Sequence, residues 1–292
     1  MVQPTRVPFM KRFATLFGVV MVFGLAAAAP TQAADTGDSQ IKATLLADAA
    51  AIQPGAEFTL GVRMKIQPHW HTYWISPGDS GDATRIKFTA DGIAFGEIQW
   101  PIPSRFEGDG FVSYGYENEV LLMIPAKASK ELKAGDRVTI QAEVNWLVCH
   151  ETCVEGGAKL SITLPIESKA APANEKLFGD WRGKLPLVGE AGAVAKVTQN
   201  KAADGSPVPS LTLTWKGPVK GVEWYPIADS ALLLDKIEVK HEGDRTVITF
   251  RSEIFKPEKL PTGMIDSVVV FTDAQGRRCG ITVPVGVLKA EK

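Results

Sequence analysis

Cysteine is scarce in this chain of 292 residues, with three in all. That is too few for a small scaffold stapled by disulfides, and an odd count leaves at least one thiol unpaired. Charge of one sign is not in excess either. Lys and Arg number 32 against 33 Asp and Glu, a formal net charge of -1. No block of like charges occurs, so composition offers no basic face for nucleic acid or anionic lipid and no charged tail. Glycine-rich phosphate loops, Walker motifs and GxSxG turns are absent, which removes the usual signatures of nucleotide binding and of serine hydrolases. Past residue 35 no apolar run approaches the roughly 20 residues that a spanning helix needs. Helical periodicity is nearly missing, with one candidate turn before Trp181, and no residue-level repeat can be aligned.

The N-terminus carries a leader pattern. Arg6, Lys11 and Arg12 precede an apolar run from Ala14 to Ala29, and small residues follow around Thr31, Ala33 and Ala34. This is the layout of a secretory signal peptide over 1–34, with cleavage near Ala33 or Ala34. The short apolar core and the polar ADTGDSQ that follows favour cleavage over retention as an anchor. The mature chain is expected to be exported, to span no membrane, and to reside where disulfides persist.

With 45% hydrophobic residues the chain has material for ample cores, and its length suggests two domains. IKATLLA, EFTLGVRMKI, TRIKFTA, EVLLMIPA, RVTIQAEVNWLV and AKLSITLP are short alternating or β-branched runs broken by Gly, Pro, Asp and Asn. They fill residues 40–166 at the spacing of a β-sandwich. The polar ESKAAPANEKLFGD reads as a linker, taken as 169–177. AVAKVTQN, PSLTLTWKG, LLLDKIEVK, RTVITFRSE, IDSVVVFTD and CGITVPVGVL then build a second sandwich over 178–292. The reading is all-β, two sandwiches in tandem over 35–168 and 178–292.

The stretch WLVCHETCVEGGAKLSITLP (146–165) places Cys149 and Cys153 at either end of a three-residue loop, His150, Glu151 and Thr152, inside an expected hairpin. Paired strands would hold their Cα atoms about 5.5 Å apart or less, within disulfide range. Three readings follow. A structural staple closing so short a loop removes only about 2 kcal/mol of unfolded-state entropy. An exchanging pair gains from a position on a loop beside the titratable His150, which favours thiolate while Glu151 opposes it. A metal site would recruit His69 and His71 of PHWHTYW, two apart and on one side if on a strand, with His150 and the cysteines around a soft ion such as Cu(I). Histidines among aromatics are more often packing residues. Trp70, Tyr73, Trp74, Trp100 and Trp146 read as core or strand-edge residues, and PGDSGD (77–82) as turn chemistry. Gly156 and Gly157 either admit a partner backbone or make a turn. In GRRCGITVPV, Arg277 and Arg278 would lower the pKa of Cys279, but the alternation after it marks a small packing residue, a free thiol outside any exchange.

Four motifs in order, WHTYWISPGDSGDATRI (70–86), WPIP (100–103), YGYENEVLL (114–122) and WLVCHETCV (146–154), resemble the N-terminal periplasmic region of the DsbD-like thiol:disulfide interchange proteins, in the branch called suppressor of copper sensitivity B. The resemblance is strong over 40–168 and looser beyond. It implies two immunoglobulin-like β-sandwich domains in tandem. It also implies that the pair takes electrons from a membrane-embedded donor of the DsbD type and passes them to oxidised periplasmic thiol proteins, with no cofactor. Cys149 and Cys153 are then the exchanging cysteines, and Cys153 forms the mixed disulfide with substrate. The family's membrane span and thioredoxin-like domain are not found in the sequence, so the donor is expected to be another chain. Where the well-known branch has five residues between its cysteines, three stand here. The family's aromatic cap is sought in SRFEGDGFVSYG, which offers Phe106, Phe111 and Tyr114, with His150 and Glu151 beside the pair. Alternatives are a non-catalytic sandwich adaptor with a structural disulfide, or a copper-binding or copper-tolerance protein.

Overall fold

A computed structural model of the protein describes residues 1, 39–108, 110–188, 193–201, 207–228, 232–260 and 263–287. Apart from Met1, the expected leader lies outside them. The first half folds as β1 (Ile41–Ala47), β2 (Ala49–Ala51), β3 (Glu57–Ile66), β4 (His71–Gly78), β5 (Arg85–Thr89), β6 (Ile93–Phe95), β7 (Ser104–Gly108), β8 (Phe111–Glu117), β9 (Glu119–Ala128), β10 (Arg137–Cys149), β11 (Cys153–Pro165) and β12 (Ala171–Pro172), followed by helix α1 (Glu175–Arg182). The second adds β13 (Leu187–Val188), β14 (Ala193–Lys201), β15 (Pro207–Trp215), β16 (Lys220–Pro226), β17 (Leu232–Glu242), β18 (Arg245–Ile254), β19 (Met264–Thr272) and β20 (Arg278–Gly286).

Alternation decides which way each strand faces. In β10, Val138, Ile140, Ala142, Val144, Trp146 and Val148 are buried, while Arg137, Thr139, Gln141, Glu143 and Asn145 are exposed. Its sheet, in the order β11-β10-β4-β8-β7 with β5 also on β10, stacks against the sheet β1-β3-β9-β6. In β9 the run Val120–Ile124 is buried without alternation, because that sheet is covered on both sides. Leu60, Val62 and Met64 of β3 enter the sandwich core. On the opposite face Gly61 leaves room for Leu121 and Phe178: a Cβ there would stand 2.7 Å from Leu121 Cδ1 and 3.0 Å from Phe178 Cζ.

Phe178 belongs to α1, whose two buried residues, Phe178 and Trp181, lie three apart on one face. The stretch 169–177, read as a linker, has no buried residue of its own but carries a short strand and the start of this helix. Its β12 pairs with β2, α1 begins within it, and the helix joins the first core. Two aromatics three residues apart in a polar segment are a weak sequence signal; the cover they form exists only once β3 and β9 are paired.

The second half sets β13-β20-β19-β16 against β14-β15-β18-β17 around Leu211, Leu213, Trp224, Ile248, Phe250, Val269, Ile281 and Val283. The fold is all-β and immunoglobulin-like, with a single α-helix among the described residues. The described residues from 39 onward belong to one compact unit, and the two sandwiches meet through an apolar seam. Tyr225 packs edge-on against Trp74 and Tyr114, with ring centroids at 6.3 and 4.9 Å. Ile102 fills the space left at Gly280, where a Cβ would lie 2.9 Å from Ile102 Cγ1. Arg278 donates to the carbonyl of Pro103 at 2.7 Å and Ser76 to that of Ala228 at 3.2 Å.

Candidate functional site at the hairpin disulfide

The 13-residue strands β10 and β11 pair from Arg137 with Pro165 to Cys149 with Cys153, so the register itself brings the cysteines face to face. His150, Glu151 and Thr152 close the loop. The Cα atoms stand 4.2 Å apart and the sulfurs are bonded. The two sulfurs differ in access: Cys149 is 3% exposed, whereas Cys153 is exposed to solvent. Gly156 and Gly157 lie within β11, opposite Trp146 and Asn145, and not in a turn.

Alternation alone would turn Cys149 outward beside Asn145 and Leu147. It is buried because the outer face of the sheet is covered there by Tyr73. Strand β4 pairs with β10 at Thr72 with Val148 and His71 with Cys149, which places Tyr73 two residues along on the face of Cys149. The Tyr73 ring is 2% exposed. Its hydroxyl donates to Cys149 Sγ at 2.9 Å and stands 3.5 Å from Cys153 Sγ. Burial raises the hydroxyl above its ordinary pKa of 10.0, so it remains a donor at neutral pH.

The segment PGDSGD holds that ring in place. Gly81, at φ 106°, passes so close that a Cβ would fall 2.2 Å from Tyr73 Cε1. Asp79 anchors the loop to β8, its amide donating to the Val112 carbonyl at 2.8 Å and its carboxylate accepting from the Val112 amide at 2.8 Å. Ala83 then bridges to Tyr73. On the other side of β4, Tyr73 pairs with Gly115, where a Cβ would meet the Thr72 carbonyl oxygen at 1.8 Å. The sequence presents the tyrosine as a core or strand-edge residue and the loop as turn chemistry within the family motif, without stating what either does. The signal was HTYW followed at once by PGDSGD, a large polar aromatic with a tight glycine turn against it.

Of the aromatics expected near the pair, Phe106 packs on the strand neighbour of Cys149. Phe106 stacks on His71 with centroids 4.6 Å apart and planes 17° from parallel, and His71 is the strand partner of Cys149. Phe111 lies at the tip of the β7–β8 hairpin, 56% exposed. Tyr114 does not belong to a cap. Because Gly115 pairs with Tyr73, its neighbour points to the opposite face, where it packs on Tyr225 of the second sandwich. His150 and Glu151 are exposed in the loop; the His150 ring lies 6.1 Å from that of His69 and 5.9 Å from that of Trp70. Burial draws the pKa of His71 below its usual 6.5, Glu117 opposes the shift and His150 adds to it.

His69 and His71 do not share a strand face. Strand β4 starts at His71, and His69 sits in the preceding turn at φ 71°. Among the described residues no group of three His, Cys, Asp or Glu is arranged to hold a metal ion. Cys279 is unpaired and half-buried in β20, against the second core. Burial and then Asp273 push its thiol above 9.0, and Arg277 offsets them only in part, so the expected lowering by arginine does not prevail. Among the described residues no helix is long and apolar enough to cross a membrane.

Residues 42–165 match the family described as thiol:disulfide interchange protein DsbD, N-terminal. The fold resembles the crystal structure of the N-terminal periplasmic domain of ScsB from Proteus mirabilis, with a TM-score of 0.62 and 16% identity, covering 88% of this chain and 97% of that one. No curated protein matches the sequence. Matched family, paired strands and a bonded cysteine pair at their tip agree: over residues 42–165 this chain carries a DsbD-type N-terminal domain of the thiol:disulfide interchange proteins.

Proposed function

We propose that the chain is a periplasmic thiol:disulfide interchange module of reductase type, relaying electrons from a membrane-embedded DsbD-type donor to oxidised periplasmic thiol proteins through Cys149 and Cys153. The observation that carries this is the asymmetry of the pair: one sulfur faces solvent and the other is enclosed under Tyr73. A staple has no need of an open sulfur, and a loop this short contributes little bracing. An exchanging pair needs one sulfur to be met by partners and one to wait behind it.

Electrons balance in two exchanges. A donor thiolate attacks Cys153 Sγ, and the electron pair of the S–S bond passes to Cys149. The donor's second thiolate then resolves the mixed disulfide, leaving the donor oxidised and both cysteines reduced. In the second exchange the Cys153 thiolate attacks a substrate disulfide, the Cys149 thiolate attacks Cys153 Sγ, and the substrate leaves with two thiols. The leader over 1–34 supports delivery to a compartment where such substrates exist.

Trapping tests the reading. Cys149→Ser removes the resolving thiol, so a mixed disulfide through Cys153 accumulates with a periplasmic protein; Cys153→Ser abolishes it and Cys279→Ser leaves it unchanged. A reduction potential distinctly above about -300 mV is expected, since structural bonds lie below it. No adduct from either single variant, with a potential below that value, would make the bond a staple.

A further inference from the structure

The hydroxyl of Tyr73 has an unusual partner. It is enclosed in the first sandwich's outer face, and its hydrogen is directed at Cys149 Sγ at 2.9 Å. A disulfide sulfur is a weak acceptor. If stability alone had set this contact, a carbonyl or water would satisfy a buried hydroxyl better. The same contact gains strength once the sulfur carries charge, because hydrogen bonds to ionised partners are roughly twice as strong as neutral ones. An interaction weak in the ground state and strong when charge develops is the kind that accelerates a step.

Cys149 is where that charge must appear. When a thiolate attacks the exposed Cys153, the electron pair of the S–S bond passes to Cys149, which is 3% exposed and has little water to stabilise it. Disulfide exchange speeds up as the leaving thiol becomes more acidic, whereas burial makes a thiol less acidic. A donor fixed at the leaving sulfur reverses that handicap. His71, paired with Cys149 along the strands, Glu117, paired with His71, the loop residues His150 and Glu151, and His69 beside His150 are titratable groups at this end of β4 and β10.

Resting on the exchange reading above, we propose that Tyr73 is a catalytic residue. Its hydroxyl donates to Cys149 Sγ as the S–S bond breaks, which makes Cys149 the leaving sulfur and Cys153 the attacked one. No proton leaves Tyr73. The electron pair stays on Cys149 as a thiolate until it takes a proton from solvent or attacks a mixed disulfide at Cys153, so the same contact holds the resolving thiolate ready. Gly81 acts as a positioning residue: its missing side chain allows the loop to clamp the ring, since a Cβ would stand 2.2 Å from Tyr73 Cε1. The backbone there, at φ 106°, is one that other residues rarely adopt.

The test uses the full mature chain with Cys279→Ser, glutathione as reductant, and stopped-flow measurement of Cys149–Cys153 reduction. Tyr73→Phe keeps the ring and removes the donor. Its reduction rate should fall about tenfold, the worth of one charge-assisted hydrogen bond. In the reduced chain, thiolate absorbance at 240 nm should show the Cys149 titration moved to higher pH by about one unit. Gly81→Ala, which displaces the ring without removing the hydroxyl, should slow reduction in the same direction. A role limited to packing would lower the thermal midpoint and leave the titration unmoved. Rates within twofold of the parent, with an unmoved titration in Tyr73→Phe, would overturn the assignment while the exchange reading stands. A parent disulfide that glutathione does not reduce in the folded chain would overturn both.

Discussion

Reducing the Cys149–Cys153 bond should cost the fold little, and the amount can be worked from the structure. The cysteines are four apart in sequence, so the bond closes a loop of about five residues, for which the chain-entropy relation gives about 2 kcal/mol. The long β10–β11 ladder holds the loop ends together with or without the bond. For a unit of this size each kcal/mol moves the thermal midpoint by about 2–4 °C, so the reduced protein should melt about 4–8 °C lower. The double variant Cys149→Ala/Cys153→Ala should lose more. It also leaves the Tyr73 hydroxyl, 2% exposed, without its sulfur, adding about 1–3 kcal/mol. Urea unfolding followed by tryptophan fluorescence, on the oxidised, reduced and doubly substituted forms at pH 7, separates the two contributions. A loss above about 4 kcal/mol on reduction would refute the claim that the bond braces little. Equal losses in the reduced and substituted forms would refute the claim that the Tyr73 contact carries energy.

Gly115→Ala should destabilise by more than about 3 kcal/mol, because the new Cβ would fall 1.8 Å from the Thr72 carbonyl oxygen and backbone cannot yield as a side chain can; circular dichroism melting checks it, and a loss under 1 kcal/mol would contradict the close β4–β8 approach. Phe178→Ala should cost about 3–5 kcal/mol as a core truncation, and a fragment ending at residue 168 should melt well below one ending at 185, as differential scanning calorimetry would show. His71 is held below its ordinary pKa of 6.5 by burial, so in acid the unfolded chain binds a proton that the folded chain resists. Stability should therefore fall as pH drops below about 6.5. His71→Phe should flatten that part of the profile in urea titrations from pH 7.5 to 5, and an unchanged slope would exclude His71 as its source.

Much of this was legible in the chain. The alternation of RVTIQAEVNWLVC sets which residues of β10 enter the core, and the three residues between the cysteines set the hairpin and its pairing. Both are local properties, since a period of two and a short loop act on neighbours in sequence. The helix Glu175–Arg182 was not legible as part of the first core. Its packing depends on a groove above Gly61 that forms from two strands far away in the chain. The role expected of Tyr114 failed for a related reason: which face of β8 looks toward the cysteines depends on the pairing of Tyr73 with Gly115, and no stretch of sequence states a register.

Alternation, loop length and motif order, all written along the chain, carry the all-β class, the cysteine pair across a tight hairpin, and the likeness of residues 42–165 to the DsbD N-terminal domain. The inequality of the two sulfurs comes instead from packing between distant strands. By its own alternation Cys149 should look outward as Asn145 does. It is buried because β4 lies beside β10 in the register that sets Tyr73 over it, and because the loop at Gly81 presses the ring down. Burial and hydrogen bonding belong to whatever the fold brings near, and for Cys149 those neighbours come from strands and loops about 70 residues away in the chain.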